Sequence, residues 1–98
     1  MYVHKKGSDE YRKIEREAML RGAEKFGISR KGNFKYYIVY KARTIHFGDK
    51  RYEDFTWHKD PKRQKRYRDR HRAILKKDGT PAYLDKNQAS YWSYWILW

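Results

Sequence analysis

The chain has 98 residues and carries 25 Lys and Arg against 12 Asp and Glu, a net charge of +13 at neutral pH. That length allows one domain around one modest core, and the absence of cysteine excludes a disulfide framework and thiolate chemistry. A mean hydropathy of -1.27 would suit a disordered chain, but 18% of the residues are aromatic, and aromatic burial is what disordered chains lack.

In chain order, Met1-Tyr2-Val3-His4-Lys5-Lys6 holds no apolar run of the signal-peptide kind. With no cysteine, this reads as a protein of a reducing cell interior or of a packed assembly, not a secreted one. Ser8 before Asp9 and Glu10 is a helix start, a hydroxyl cap followed by acids at the positive end of the dipole. Tyr11, Ile14, Ala18 and Phe26 share a helical stripe, which predicts a helix over about 9–26 ended by Gly27 and weakened by Gly22. Residues 1–33 thus read as an N-terminal helical extension.

Residues 34–47 read as a β-hairpin. Phe34, Tyr36, Ile38 and Tyr40 alternate with Lys35, Tyr37, Val39 and Lys41, and Thr44–Phe47 follow after a turn without the usual Asn-Gly. Asp60-Pro61 then predicts a capped helix over about 61–77, with Gly79-Thr80-Pro81 ending it. Its wheel puts Gln64, Tyr67, His71, Ile74 and Leu75 on one face. Lys62, Lys65, Arg66, Arg72 and Lys76 lie on the other, flanked by Arg68. Residues 61–80 hold nine basic and two acidic side chains, so over half the net charge sits in a fifth of the chain.

The last segment, Ala89–Trp98, contains three of the four tryptophans and is apolar on nearly every side, as a short buried helix would be. Trp92, Trp95 and Trp98 are candidates for contact with a neighbouring subunit or with bases; the bland alternative is the domain's own core. The expected fold is α+β in a single small domain over 1–98. A hairpin carries the amphipathic basic helix, with an N-terminal helix before them and an aromatic C-terminal helix closing the core.

The basic helix is the main functional signal. Lys and Arg on one face neutralise phosphates and release counterions, which supplies sequence-independent affinity. No zinc-finger, bZIP or RRM pattern supports base-specific readout. His46, His58 and His71 with Asp49, Asp54 and Asp60 match no metal-ligand spacing, so no metal, cofactor or catalytic group is expected. Asp49, Glu53 and Asp54 are expected to pair with Arg68, Arg70 or Arg72.

Two stretches carry a resemblance. His46-Phe47-Gly48-Asp49, Tyr52, Asp54-Phe55-Thr56, His58-Lys59-Asp60, Arg66-Tyr67 and Arg70-His71 form one, and Tyr91–Trp98 the other. Together they resemble a family of small basic proteins encoded by large eukaryotic double-stranded DNA viruses, whose function is unassigned. The resemblance spans about residues 36–98, leaves the N-terminal helix outside, and implies a viral protein carried in the particle and the host cell interior.

The reading that results is a non-enzymatic virion protein that binds nucleic acid through Lys62, Lys65, Arg66, Arg68, Arg72 and Lys76. The alternative is a minor capsid protein whose basic face docks acidic surfaces of shell subunits while its C-terminal aromatics anchor it, with self-association possible through the same end. A membrane-surface role for the basic helix ranks third, and no small-molecule substrate is expected.

Overall fold

The computed structural model describes all residues from Met1 to Trp98. The elements run α1 (Asp9–Leu20), β1 (Lys25–Ile28), β2 (Phe34–Tyr40), β3 (Arg43–Asp49), α2 (Phe55–His58), α3 (Pro61–Arg72), a 3-10 turn (Ala82–Leu84) and α4 (Ala89–Trp92). The fold is α+β, with one antiparallel sheet ordered β1-β2-β3.

Ser8 caps α1 by accepting a hydrogen bond from the Tyr11 amide, and Tyr11, Ile14 and Ala18 are its buried stripe. The helix stops six residues before the expected end. Gly22 takes φ +100°, its amide reaches the Met19 carbonyl, and the Ala23 amide reaches that of Ala18. This is a Schellman closure, and the left-handed position it needs is what glycine supplies without Cβ strain. The chain reverses there, and Phe26 lies on a strand opposite Ile38 instead of on the helix. Residues 1–33 are consequently no mere extension: α1 and β1 contribute Tyr11, Ile14, Ala18, Ala23 and Phe26 to the core.

β2 and β3 form the expected hairpin, with Tyr36 opposite Phe47 and Ile38 opposite Ile45. All four are buried, and they meet Tyr11 and Phe26 from one side of the core and Trp92, Ile96 and Leu97 from the other. The two-residue turn places Lys41 at φ 48° and Ala42 at φ 63°. Both are left-handed, as the twist of a tight hairpin demands.

Asp54 caps α2, accepting from the Thr56 amide at 2.8 Å. Asp60 caps α3 through the Lys62 amide, with Pro61 in the first turn as expected. α3 ends at Arg72 and not near residue 77, because the chain from Asp78 to Thr80 has its own local bonds. The Asp78 carboxylate accepts from the Thr80 amide and hydroxyl, Gly79 turns at φ +85°, and Leu75 bridges to Pro81. Ile74 and Leu75 are therefore exposed rather than part of a helical underside.

α4 continues into a π-helical turn over Ser93–Leu97. Trp92 is fully buried and its indole N–H donates to the Lys86 carbonyl. Trp95 donates likewise to Tyr83. The segment is a wall of the core, as the bland alternative had it; Trp92 has no surface to offer a neighbour, whereas Trp95 and Trp98 stay partly exposed. No helix is long and apolar enough to cross a membrane.

Candidate nucleic-acid interface and the pocket beside it

α3 contains no buried residue, so its register is set by what its inner edge touches. Tyr67 stacks on Trp98, with ring centroids 4.1 Å apart and planes 6° from parallel, and His71 stacks on Tyr67 at 3.6 Å. Gln64 Nε2 donates to the Trp98 carbonyl at 2.6 Å. Aromatic stacking and this bond orient α3 against the C-terminal segment.

The six expected phosphate contacts divide by this geometry. Lys62 and Arg66 are exposed, and neither has a carboxylate partner. Lys65 is 78% exposed but holds Asp69 at 2.6 Å. Arg68 turns inward, its guanidinium 5.1 Å from the Tyr94 ring centre and its Nε buried without a partner. Arg72 donates to the Tyr94 hydroxyl at 2.8 Å. Lys76 lies beyond the helix, held by Asp85 at 2.6 Å. Arg68, Arg72 and Lys76 thus fasten α3 and its following turn to the domain, whereas Lys62, Lys65 and Arg66 face solvent.

Arg70 completes the outward group; it is exposed and unpaired. Spacing was the available signal, since Lys62, Arg66 and Arg70 recur every fourth residue and form one stripe. Like charges at that spacing repel, costing roughly 0.2–0.5 kcal/mol per pair, and the one acid between them, Asp69, pairs with Lys65 and Arg72 instead. Across the chain, nine of the 25 Lys and Arg belong to ion pairs, which leaves 16 cations without one.

The acids expected to bind Arg68, Arg70 or Arg72 are used elsewhere. Asp49 pairs with Arg51, Glu53 with Arg63, and Asp54 with Lys35. Asp49 and Glu53 take cations near them in the chain, Arg51 and Arg63, whereas Asp54 turns into the fold to meet the buried Lys35 of β2.

Between the β2–β3 end of the sheet and the inner edge of α3 lies a pocket of about 580 Å³. Phe34, Tyr52, Tyr67 and Trp98 give it aromatic walls, and Lys35, Asp54, Arg70, His71 and Ser90 are among its polar lining. Burial keeps His71 below the ordinary imidazole range and the positive Arg70 adds to that; a bond to the Tyr67 carbonyl opposes both. His58 is lowered too, first by burial and then by Arg63. The three histidines singled out from sequence lie on β3, α2 and α3, and no group of three or more His, Asp or Glu could hold a metal ion.

Residues 25–71 match the model of a family described as a family of unknown function (DUF5754). No curated protein and no solved structure matches the chain. The matched segment runs from β1 almost to the end of α3, so it includes the outward stripe and Lys35, Asp54 and Arg70 of the pocket, but not the aromatic C-terminal wall.

Proposed function

We propose that the protein binds nucleic acid without base specificity, with Lys62, Lys65, Arg66 and Arg70 of α3 against the phosphate backbone. The observation that carries this is the Lys62–Arg66–Arg70 stripe, three cations in line on a rigid, capped helix with no carboxylate to neutralise them. Phosphates spaced along a strand offset that repulsion and release their counterions on binding. The net charge of +13 steers a polyanion to the surface before contact is made. The resemblance of residues 36–98 agrees with a role in or near a virus particle, and the role proposed is binding rather than catalysis.

The shell-docking alternative needs C-terminal aromatics free to anchor a subunit. Trp92 at 0% exposure is not available to it, and only Trp95 and Trp98 keep part of their surface, which weakens the support for that alternative.

Salt titration on duplex DNA is the test. Engaging about four or five phosphates gives a log–log slope of affinity against salt near about -4. Reversing Arg66 and Arg70 together (R66E/R70E) should weaken binding to all sequences alike and flatten that slope. A slope near zero for the unaltered protein, or preference for one duplex sequence, overturns the proposal.

A further inference from the structure

The pocket between the sheet and α3 plays no part in a backbone contact, yet its lip carries Arg70, the last cation of the stripe. At about 580 Å³ it falls within the roughly 300–1,000 Å³ usual for small-molecule sites. Its charged lining is nearly self-neutral. Lys35 is held by Asp54, Arg63 by Glu53, and Asp49 by Arg51. Arg70 is the one lining cation without a carboxylate partner, and burial favours neutral His71. A cage for a phosphate would present several free cations inside; this interior presents one, at its edge.

The rest of the lining suits an uncharged, flat, polar ring. Phe34 and Tyr52 expose 36% and 64% of their surface, so part of each ring is open to a ligand, although His46 lies beside Phe34 and the Arg51 guanidinium over Tyr52. Both faces of Tyr67, by contrast, are already covered by Trp98 and His71. Ser90 is among the lining residues, with its Oγ shielded from solvent and without a hydrogen-bond partner.

We infer that the pocket receives an unpaired nucleobase, stacked on Phe34 or Tyr52, while Arg70 holds the adjoining phosphate. This deepens the reading of the α3 surface and rests on it: the backbone lies along Lys62, Arg66 and Arg70, and one base turns inward. A duplex cannot present such a base without unpairing it, so single strands are preferred.

The experiment compares a labelled single-stranded oligonucleotide with a duplex of the same sequence at equal salt. It uses the full chain and the variant F34A/Y52A, whose exposed rings are removable without opening the core. The unaltered protein should favour the single strand. The variant should lose between about fivefold and a hundredfold on the single strand, the range that removing a stacking ring produces, with duplex affinity unchanged. Backbone and side-chain NMR shifts at Ser90 and Arg70 should follow single-strand binding. Equal affinity for both forms, with shifts confined to Lys62, Lys65 and Arg66, overturns the pocket inference and leaves the surface reading standing. Salt-independent binding, or none, to either form removes the surface reading and this one with it.

Discussion

Lys35 Nζ donates to Asp54 Oδ2 at 2.6 Å, and the two side chains are only 2% and 3% exposed. Removing both charges from water is costly, and the pair persists because each partner has the other and Asp54 also accepts from Thr56. Lys35→Met leaves a buried carboxylate without a cation, so it should destabilise the domain by about 3–5 kcal/mol. K35M/D54L removes both charges and should cost less than K35M alone, the remainder being the lost cap of α2, about 0.5–2 kcal/mol. Urea unfolding measures both. A double variant as unstable as the sum of its single changes would show that the charges do not interact.

The hairpin tip offers the opposite sign. Ala42 holds φ 63°, a left-handed conformation that costs a residue with a Cβ about 1–2 kcal/mol. Glycine adopts it freely at the expense of some unfolded-state entropy. Ala42→Gly should therefore raise stability by about 0.5–1 kcal/mol, read as a higher melting temperature with unchanged binding. A lower melting temperature would mean that the alanine methyl group contributes more than its backbone costs.

The features legible in the sequence were those determined by near neighbours. Ser8 and Asp60-Pro61 start helices because a cap bonds only two or three residues ahead. The 34–40 alternation reports a strand for the same reason. Gly22 was visible as a weak point, but whether it bends or ends α1 depends on the Ala18 and Met19 carbonyls and on where Phe26 finds a partner. Lys35 occupied a polar slot in an alternating strand, and its burial depends on Asp54, 19 residues on. At the interface, a helical wheel finds Lys62, Lys65 and Arg66. It cannot show that Arg72 is claimed by the Tyr94 hydroxyl or Lys76 by Asp85, since those partners come from another part of the chain.

Tryptophan placement determines what truncation does. Tyr91, Trp92, Tyr94, Ile96 and Leu97 are all at most 7% exposed within the single chain, and burying each such side chain contributes about 1.5–3 kcal/mol. Deleting Tyr91–Trp98 should abolish folding, since the loss over five such side chains is about as large as the roughly 5–15 kcal/mol by which small domains are stable. Circular dichroism and amide dispersion in NMR should both report an unfolded chain. A folded, truncated protein that has lost only self-association would restore the anchor reading.

Acidification should destabilise the fold through its histidines. His4, His58 and His71 are each held below the ordinary imidazole value of 6.5, in every case first by burial. For His4 the charges of Asp54 and Glu10 oppose burial while Lys35 and Lys59 reinforce it. For His58, Arg63 reinforces it against Glu53, Asp54 and Asp60. Below about pH 6.5 the unfolded chain takes up protons that the folded one resists, so the unfolded state is favoured as pH falls. The histidine contribution is therefore complete above that value and is lost as pH drops through the depressed folded values. The carboxylates lie in a different window. Asp49, Asp69, Asp78 and Asp85 are lowered from an ordinary 3.8, each chiefly by a side-chain hydrogen bond, so their contribution is lost only in more acid solution. Melting temperature should thus be flat from about pH 8 to about pH 7 and fall between about pH 6.5 and about pH 5. His71→Gln, which cannot titrate, should reduce that slope while lowering stability at neutral pH through the lost stack on Tyr67. A melting temperature that stays level or rises down to about pH 5 would mean that the three rings accept protons in the fold as readily as in water.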